Sequence, residues 1–172
     1  MMRHVANEFS WYGEQKNFVD KINIHHIGPV YIGRFGGNSS AGQYKNEDGC
    51  LVWVDEEKNW EFTAILDAHN SAESIQVILQ HFAMRKAEWQ ALFSLSYEQV
   101  FSRIEQAVLT MFQDEKFLAD CRSIKGETAC LIIFRKDKYM WWFSVGDCLS
   151  FLFHPELARL NQYQINQRQF YE

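Results

Sequence analysis

Residues 50–66 read CLVWVDEEKNWEFTAIL, and this stretch sets the fold class. Its two ends, Cys50 to Val54 and Phe62 to Leu66, are apolar runs of strand length on either side of a charged segment. Upstream, Ile22 to Ile32 alternates imperfectly between apolar and polar residues. The first half of the chain is therefore predicted to form strands.

A polar segment lies between Gly33 and Gly49, and it is predicted to be a loop. A loop of this length inside a compact domain is more often functional than idle. It is therefore a candidate for carrying part of a functional site.

The middle of the chain changes to helical periodicity. Asn70 followed by Glu73 has the spacing of a capping box and predicts the start of a first helix. Ser96 followed by Gln99 predicts the start of a second, with a turn near residues 93–95 between them. The apolar positions at helical spacing are Ile75, Ile78, Leu79, Phe82, Ala83 and Ala87 in the first helix, and Val100, Ile104, Ala107, Val108, Met111 and Leu118 in the second. The two helices are predicted to form an antiparallel pair packed on a sheet.

The last third returns to strands. Ala129 to Phe134 and Tyr139 to Val145 are predicted strands, with Lys136-Asp137 as a two-residue turn between them. Gly146-Asp147 interrupts, and Cys148 to Phe153 is predicted to be a further strand. Strands, a helix pair and strands again predict an α+β sandwich. The tail from residue 155 to 172 shows a weak helical start.

The composition indicates one compact soluble domain over residues 1–172. Hydrophobic residues make up 47% and aromatic residues 16%, which excludes intrinsic disorder. The 17 Lys and Arg against 22 Asp and Glu give a net charge of −5. Nucleic acids and anionic membranes need a basic surface, so neither is expected as a partner.

The cysteines point to a cytoplasmic protein with reduced thiols. Cys50, Cys121, Cys130 and Cys148 form no CxxC pair, which argues against a structural zinc site. The first fourteen residues lack the apolar core of a signal peptide, and no apolar run is long enough to span a bilayer. An intracellular location is therefore expected.

Acidic residues lie at the ends of apolar strands or in the loop that feeds one. These are Glu47-Asp48, Asp67 and Asp147, with His69 two residues after Asp67. Taken singly, each has an ordinary interpretation: a solvated turn, a helix cap, a tight turn or a surface histidine. Taken together, acids at strand ends commonly converge on a hard cation such as Mg²⁺ or Mn²⁺.

Four short motifs in a particular order indicate more about function than any one of them alone. The motifs are Asn46-Glu47-Asp48, Asp67-Ala68-His69, Gly126-Glu127-Thr128-Ala129 and Val145-Gly146-Asp147-Cys148. They resemble the Asn-Glu-Asp, Asp-Gly-His, Gly-Ser-Thr-Ala and Val-Gly-Asp-Ser motifs of the metal-dependent type 2C protein Ser/Thr phosphatases. The resemblance covers residues 33–153.

The resemblance implies a fold and a metal centre. The family fold is a β-sandwich flanked by pairs of antiparallel helices. Two Mg²⁺ or Mn²⁺ ions would share Asp67 as a bridging ligand, and one ion would also take the backbone carbonyl of Ala68. Asp147 matches an aspartate that binds an additional, weaker metal in some members.

The resemblance also implies a reaction. A water acidified by the metals would attack the phosphorus of a phosphorylated serine or threonine in a protein substrate. Glu47 and Asp48 would act mainly on metal-bound waters. His69 would donate a proton to the departing oxygen.

Several positions depart from the family pattern. Gln43 stands where the family has the arginine that clamps the substrate phosphate, and Lys45 and Arg34 are the alternative cations. Ala68 replaces a glycine, where a positive φ would be strained, and Glu127 replaces a serine. The family's later Asp-Gly and Asp-Asn motifs have no counterpart between residues 155 and 172.

These departures leave three hypotheses. The chain is a piece of an active phosphatase domain, and a sheet edge exposed by truncation would then pair into a homodimer. Alternatively, it is a phosphatase-like binding or regulatory module without catalysis. In the third hypothesis it is an unrelated α+β protein whose acids coincide.

Overall fold

The structure, a computed structural model, describes residues 7–168. The strands are β1 Asn7–Tyr12, β2 Asn23–Ile27, β3 Val30–Arg34, β4 Gly49–Asp55, β5 Trp60–His69, β6 Glu127–Lys136 and β7 Tyr139–Val145. The α-helices are α1 Glu73–Met84, α2 Lys86–Phe93, α3 Tyr97–Phe101, α4 Ile104–Phe112, α5 Glu115–Arg122 and α6 Pro155–Arg159, and a short 3₁₀ turn spans Ser39–Ala41.

Five strands form one antiparallel sheet in the order β1-β4-β5-β6-β7, and β2 and β3 form a separate hairpin. Strands with helices inserted between β5 and β6 confirm the α+β class. Strands β4 to β7 follow one another along the chain, apart from that helical insertion. Their antiparallel pairing therefore brings alternate strand ends to the same edge of the sheet.

The two faces of the sheet differ, and β5 shows the difference. Trp60, Phe62, Ala64, Leu66 and Ala68 alternate along it and are all buried. We call this side the helix face, since the helices cover it. The residues between them, Glu61, Thr63, Ile65, Asp67 and His69, lie on the opposite side, the open face. Ile65 is 51% exposed there, so helices cover only one side of the sheet.

An aromatic cluster joins the helices to the helix face. Phe93, at the end of α2, is fully buried, and its ring centroid lies 4.6 Å from that of Phe134 and 5.0 Å from that of Phe62. Trp60 and Trp89 lie within 5.8 Å of the same ring. This cluster makes the core a sheet–helix interface of large rings.

The β2–β3 hairpin packs on the open face beside β1 and β4. The His25 ring stacks on Phe9 at 4.1 Å. Ile32 packs against the small second core formed by Trp11, Phe18 and Cys50. The imperfect alternation from Ile22 to Ile32 is thus explained: Gly28, with φ +52°, lies in a tight turn between two strands.

The helical region differs from the predicted pair. It contains α1 to α5, because Arg85, Arg103 and Asp114 adopt non-helical backbone angles and interrupt it. The Ser96 cap is confirmed, since its hydroxyl accepts the Gln99 N–H at 3.4 Å. The turn near residues 93–95 is also confirmed.

The predicted Asn70 cap is wrong. β5 continues to His69, Asn70 takes a left-handed backbone with φ +77°, and α1 begins at Glu73. Ser71 donates to the Lys125 carbonyl at 2.7 Å, and the Glu73 carboxylate accepts the Lys125 N–H at 2.9 Å. Glu73, expected to close a capping box with Asn70, instead joins Ser71 in tying α1 to the segment before β6.

Two predictions in the last third also need correction. The turn between β6 and β7 is Asp137-Lys138, one residue later than predicted, because Lys136 is the last residue of β6 and donates to the carbonyls of Phe93 and Lys58. Residues 148–153 form no strand beyond a single bridge between Phe151 and Gln164. The helical start predicted for the tail is confirmed as α6.

Across residues 7–168, no helix combines the length and the apolar character needed to cross a bilayer.

Candidate functional site

The sheet register brings the four sequence motifs to one edge. Gly49 pairs with Leu66, so Asp48 directly precedes β4 next to Asp67 on β5. Asp67 in turn pairs with Ala129 on β6. Residues far apart in sequence therefore form one group because antiparallel neighbours align them.

The motif after β7 reaches the same edge. Cys130 pairs with Val145, which places Gly146 beside Ala129. Gly146 has φ +90°, and a Cβ atom there would lie 2.5 Å from the Cβ of Ala129. Glycine is needed at this position for both reasons, and it is followed by Asp147, whose charge acts on His69 at the end of β5.

Replacing Gly146 with alanine is expected to destabilise the fold by roughly 1–3 kcal/mol, since the substitution adds both a clash and backbone strain. Urea unfolding of the purified protein measures this. Gly42→Ala is a matched control: it also has a positive φ, +82°, but a Cβ there would meet open space. Equal losses in the two variants would show that the contact with Ala129 has no effect.

The carboxylates at this edge interact with one another. Desolvation, followed by the charges of Asp67 and Glu47, raises the pKa of Asp48 above its ordinary value, and His69 opposes this. Like charges held together at a folded site are unfavourable unless a cation is bound. The group therefore has the charge of a cation site.

Because desolvation and, after it, the charges of Asp67 and Glu47 disfavour the ionised carboxylate, Asp48→Asn is expected to stabilise the metal-free protein. A carboxyl whose pKa is raised by folding destabilises the fold above that pKa and not below the unfolded value, so the gain applies at neutral pH. We expect the melting temperature to rise by on the order of 1–2 °C. Differential scanning calorimetry at pH 7 and pH 3 tests this, and a gain that persists at pH 3 would contradict it.

His69 follows Asp67 and lies at the solvent side of the site. Its Nδ1 is 3.7 Å from Asp67 Oδ1, and its side chain is 65% exposed. A hydrogen bond to the backbone of Ala68, followed by the charges of Asp67, Asp147 and Glu127, raises the pKa of His69. The site therefore favours the protonated imidazole, the form that can donate a proton.

Cys148 was not among the residues predicted for the site. Burial, followed by the charges of Asp67, Asp147 and Asp48, raises the pKa of its thiol to about 11. The thiol thus lies among three carboxylates and is kept protonated. The one signal in the sequence was its position directly after Gly146-Asp147.

Glu47 and Lys45 pair with each other through Lys45 Nζ and Glu47 Oε1, at 2.5 Å. Gln43 is exposed. Neither Gln43 nor Lys45, the two residues predicted to hold a substrate phosphate, lines the cavity described next, which contains Asp48 and Asp67.

A cavity of about 790 Å³ lies between the β2–β3 hairpin and the open face, with Asp48 and Asp67 in its wall. Its volume is in the range of small-molecule sites. Apolar side chains form most of the lining, and Arg34, Asn46 and Cys148 contribute polar atoms. The wall of this cavity therefore contains acidic and apolar side chains next to each other.

For the metal ion predicted from the sequence, the described residues supply only part of a ligand set. Within residues 7–168, no three side chains of His, Cys, Asp or Glu are grouped closely enough to hold an ion. Asp48 and Asp67 nevertheless form a pair of hard oxygen donors. Mg²⁺ typically keeps several waters and is bound through one or two carboxylates, so this pair fits a hydrated divalent cation.

Ala68 is extended within β5 and pairs with Thr128 of β6. It is not among the residues with positive φ, so the strain expected from replacing glycine is not present.

No protein-family model matches the chain, and no curated protein matches it.

Proposed function

We propose that this protein is a metal-dependent phosphatase that hydrolyses phosphorylated serine or threonine in proteins, using Mn²⁺ or Mg²⁺. The observation that carries the proposal is the meeting of Asp48, Asp67 and His69 at one edge of the sheet. The motifs that resemble the type 2C phosphatases begin 19 or more residues apart in sequence, yet the charge of Asp67 in the second motif contributes to the raised pKa of Asp48 in the first. Asp48 and Asp67, from two of these motifs, line one cavity, which a coincidental pair of acids would not be expected to do.

The proposal includes the phosphatase 2C-like sandwich as the complete fold. The five-stranded sheet with helices on one face supports it, as does the apolar character of the open face. Ile65 and Trp142 are 51% and 40% exposed on that face. Exposed apolar side chains on a sheet favour packing by a second layer.

In the proposed reaction, Asp67 and, in place of the water-ordering role expected from the sequence, Asp48 would hold the cation, and Ala68 would offer a backbone carbonyl beside them. A bound divalent cation supplies acidification of a water nucleophile and stabilisation of developing negative charge. His69 donates a proton to the departing serine or threonine oxygen, a role that its raised pKa supports. Glu47 and Asp147 orient waters and add negative charge around the ion.

The second candidate function is a phosphatase-like binding module without catalysis. The pairing of Glu47 with Lys45 favours it, since a carboxylate already engaged by an ammonium group is less available to order water. Both functions include phosphoprotein binding, and only the phosphatase hydrolyses the phosphate ester.

The proposal also covers location and assembly. Free thiols at Cys50, Cys121, Cys130 and Cys148 support a cytoplasmic setting, where thiols stay reduced. β7 is the outermost strand on one side of the sheet, and its sequence YMWWFSV carries no charge. Both features support a homodimer that forms by pairing of this strand. Sedimentation at high concentration tests the dimer, and a monomer would contradict it.

The function is tested by hydrolysis of an aryl phosphate and of a phosphothreonine peptide, each with Mn²⁺, with Mg²⁺ and with EDTA. Turnover with either metal that is lost in EDTA is the expected result. Peptide binding without turnover under any metal condition would support the binding module instead. Turnover unaffected by EDTA would overturn the metal-dependent mechanism.

A further inference from the structure

Residues 146–150, which we call the site loop, follow β7 and carry two residues that act on the candidate site. These residues belong to no strand, so no neighbouring strand supplies hydrogen-bond partners for their backbone. Backbone groups in such a position need partners from elsewhere in the chain. The tail of the protein supplies them, beginning with the Ile165 N–H, which donates to the Ser150 carbonyl at 3.0 Å.

Asn166 of the tail binds the site loop through its side chain. Asn166 is only 7% exposed, and both atoms of its amide form hydrogen bonds. Nδ2 donates to the Cys148 carbonyl at 2.8 Å and to Ser144 Oγ at 3.0 Å, while Oδ1 accepts the Ser150 N–H at 2.7 Å. The side-chain amide therefore offers the loop a donor and an acceptor, as a peptide group of an adjacent strand would.

The partners of Asn166 lie on both sides of Asp147. Ser144 is in β7, before the loop turns, and Cys148 and Ser150 come after the turn. A short segment that is bonded on both flanks has few conformations left. The three hydrogen bonds therefore restrict where the side chains of Asp147 and Cys148 lie.

The placement of these two side chains affects the candidate site. Cys148 lines the cavity whose wall contains Asp48 and Asp67. The charge of Asp147 contributes to the raised pKa values of Cys148 and His69. A movement of the site loop would therefore change both the wall of the cavity and the charge around the carboxylates.

We propose that Asn166 is a positioning residue, which holds the site loop, with Asp147 and Cys148, at the carboxylate edge of the sheet. The inference rests on the proposed function only for its effect on hydrolysis, since the hydrogen bonds place the loop whatever reaction occurs. Without the amide, the Cys148 carbonyl and the Ser150 N–H lose a partner. The loop is then expected to open toward solvent, where water satisfies both groups.

The test measures how fast iodoacetamide alkylates each cysteine at pH 8.5, resolved by peptide mass spectrometry. In folded Asn166→Ala we expect Cys148 to react roughly 10-fold faster or more than in the wild type, because local opening exposes its thiol. Cys121, which is partly exposed on α5, should keep its wild-type rate and serves as the internal reference. Asn166→Asp keeps the acceptor for Ser150 and loses both donors, so a smaller rise at Cys148 is expected.

Gln167→Ala is the matched control, because Gln167 is an exposed amide next to Asn166. A general loss of stability would also speed alkylation of the buried Cys50 and Cys130. A rise confined to Cys148 therefore identifies a local movement of the site loop and supports the inference. If Asn166→Ala speeds all four cysteines, Asn166→Asp decides. Wild-type alkylation of Cys148 in a folded Asn166 variant would overturn the inference.

Hydrolysis of an aryl phosphate gives a second measurement, titrated with Mn²⁺. Asn166→Ala is expected to raise the Mn²⁺ concentration for half-maximal activity roughly 10-fold, as loss of an indirect partner of a metal site does. Gln167→Ala should leave it unchanged. An unchanged Mn²⁺ requirement in a variant with faster Cys148 alkylation would contradict the positioning role. A wild type without turnover, whose Asn166 variants still expose Cys148, would refute the phosphatase function and support the placement of the loop by Asn166.

Discussion

Replacing Asp67 with asparagine is expected to abolish Mn²⁺-dependent hydrolysis, lowering kcat/KM by at least about 100-fold. Asp67 adjoins the other parts of the site. Its backbone pairs with β6, it lies next to Asp48, and its Oδ1 is 3.7 Å from His69 Nδ1. An amide keeps the shape of the side chain and removes the charge that holds a divalent cation. Loss of even an indirect partner of a metal ligand costs 10- to 100-fold in affinity or activity, and a ligand costs more. Aryl phosphate kinetics and Mn²⁺ titration calorimetry measure the two effects.

Asp137→Asn is the matched control for this experiment. Asp137 lies in the turn at the other end of β6, has φ +54°, and accepts a hydrogen bond from Asn59 Nδ2 at 3.0 Å. Asparagine tolerates that backbone and retains an oxygen acceptor. The control should leave kcat/KM unchanged. Wild-type kinetics and Mn²⁺ affinity in Asp67→Asn would refute the assigned metal position.

Phe93→Ala is expected to destabilise the protein by about 3–5 kcal/mol, a loss of roughly 6–20 °C in melting temperature. The Phe93 ring is fully buried and contacts rings from β5, β6 and α2. Removing it leaves a cavity at the centre of the helix–sheet interface. Urea denaturation followed by tryptophan fluorescence reports this directly, since Trp60 and Trp89 adjoin the ring.

The exposed Phe153 provides the comparison. It is 81% exposed, so Phe153→Ala should change the free energy of unfolding by no more than about 0.5 kcal/mol. A loss below about 1 kcal/mol in Phe93→Ala would show that the aromatic cluster repacks without penalty.

Most strands could be predicted because apolar runs of strand length carry their own signal. The runs at 50–54, 62–66, 129–134 and 139–145 all lie within strands of the central sheet. The strand predicted at 148–153 is wrong, since the backbone there forms hydrogen bonds with residues 163–166 and makes a loop. Apolar composition specifies burial, and it does not specify which partner satisfies the backbone.

Helix boundaries were harder to predict because distant contacts decide them. Asn70 and Glu73 have capping-box spacing, yet the Glu73 carboxylate accepts the N–H of Lys125, 52 residues later, and Ser71 donates to the carbonyl of the same residue. The interruption at Arg85 accompanies its pairing with Asp114 at 2.7 Å. Neither contact can be read from local periodicity.

Part of the candidate site, too, could be predicted from the sequence and part could not. The sequence by itself determined the α+β class, the strand ends that carry Asp48, Asp67 and Asp147, and the cap at Ser96, because these follow from local composition and spacing. Only the tertiary structure decided that Arg34 and Cys148 line one cavity with Asp48 and Asp67 while Gln43 and Lys45 do not. Strand register and the folding of the hairpin onto the open face fix those neighbours, and both depend on contacts between residues far apart in the chain.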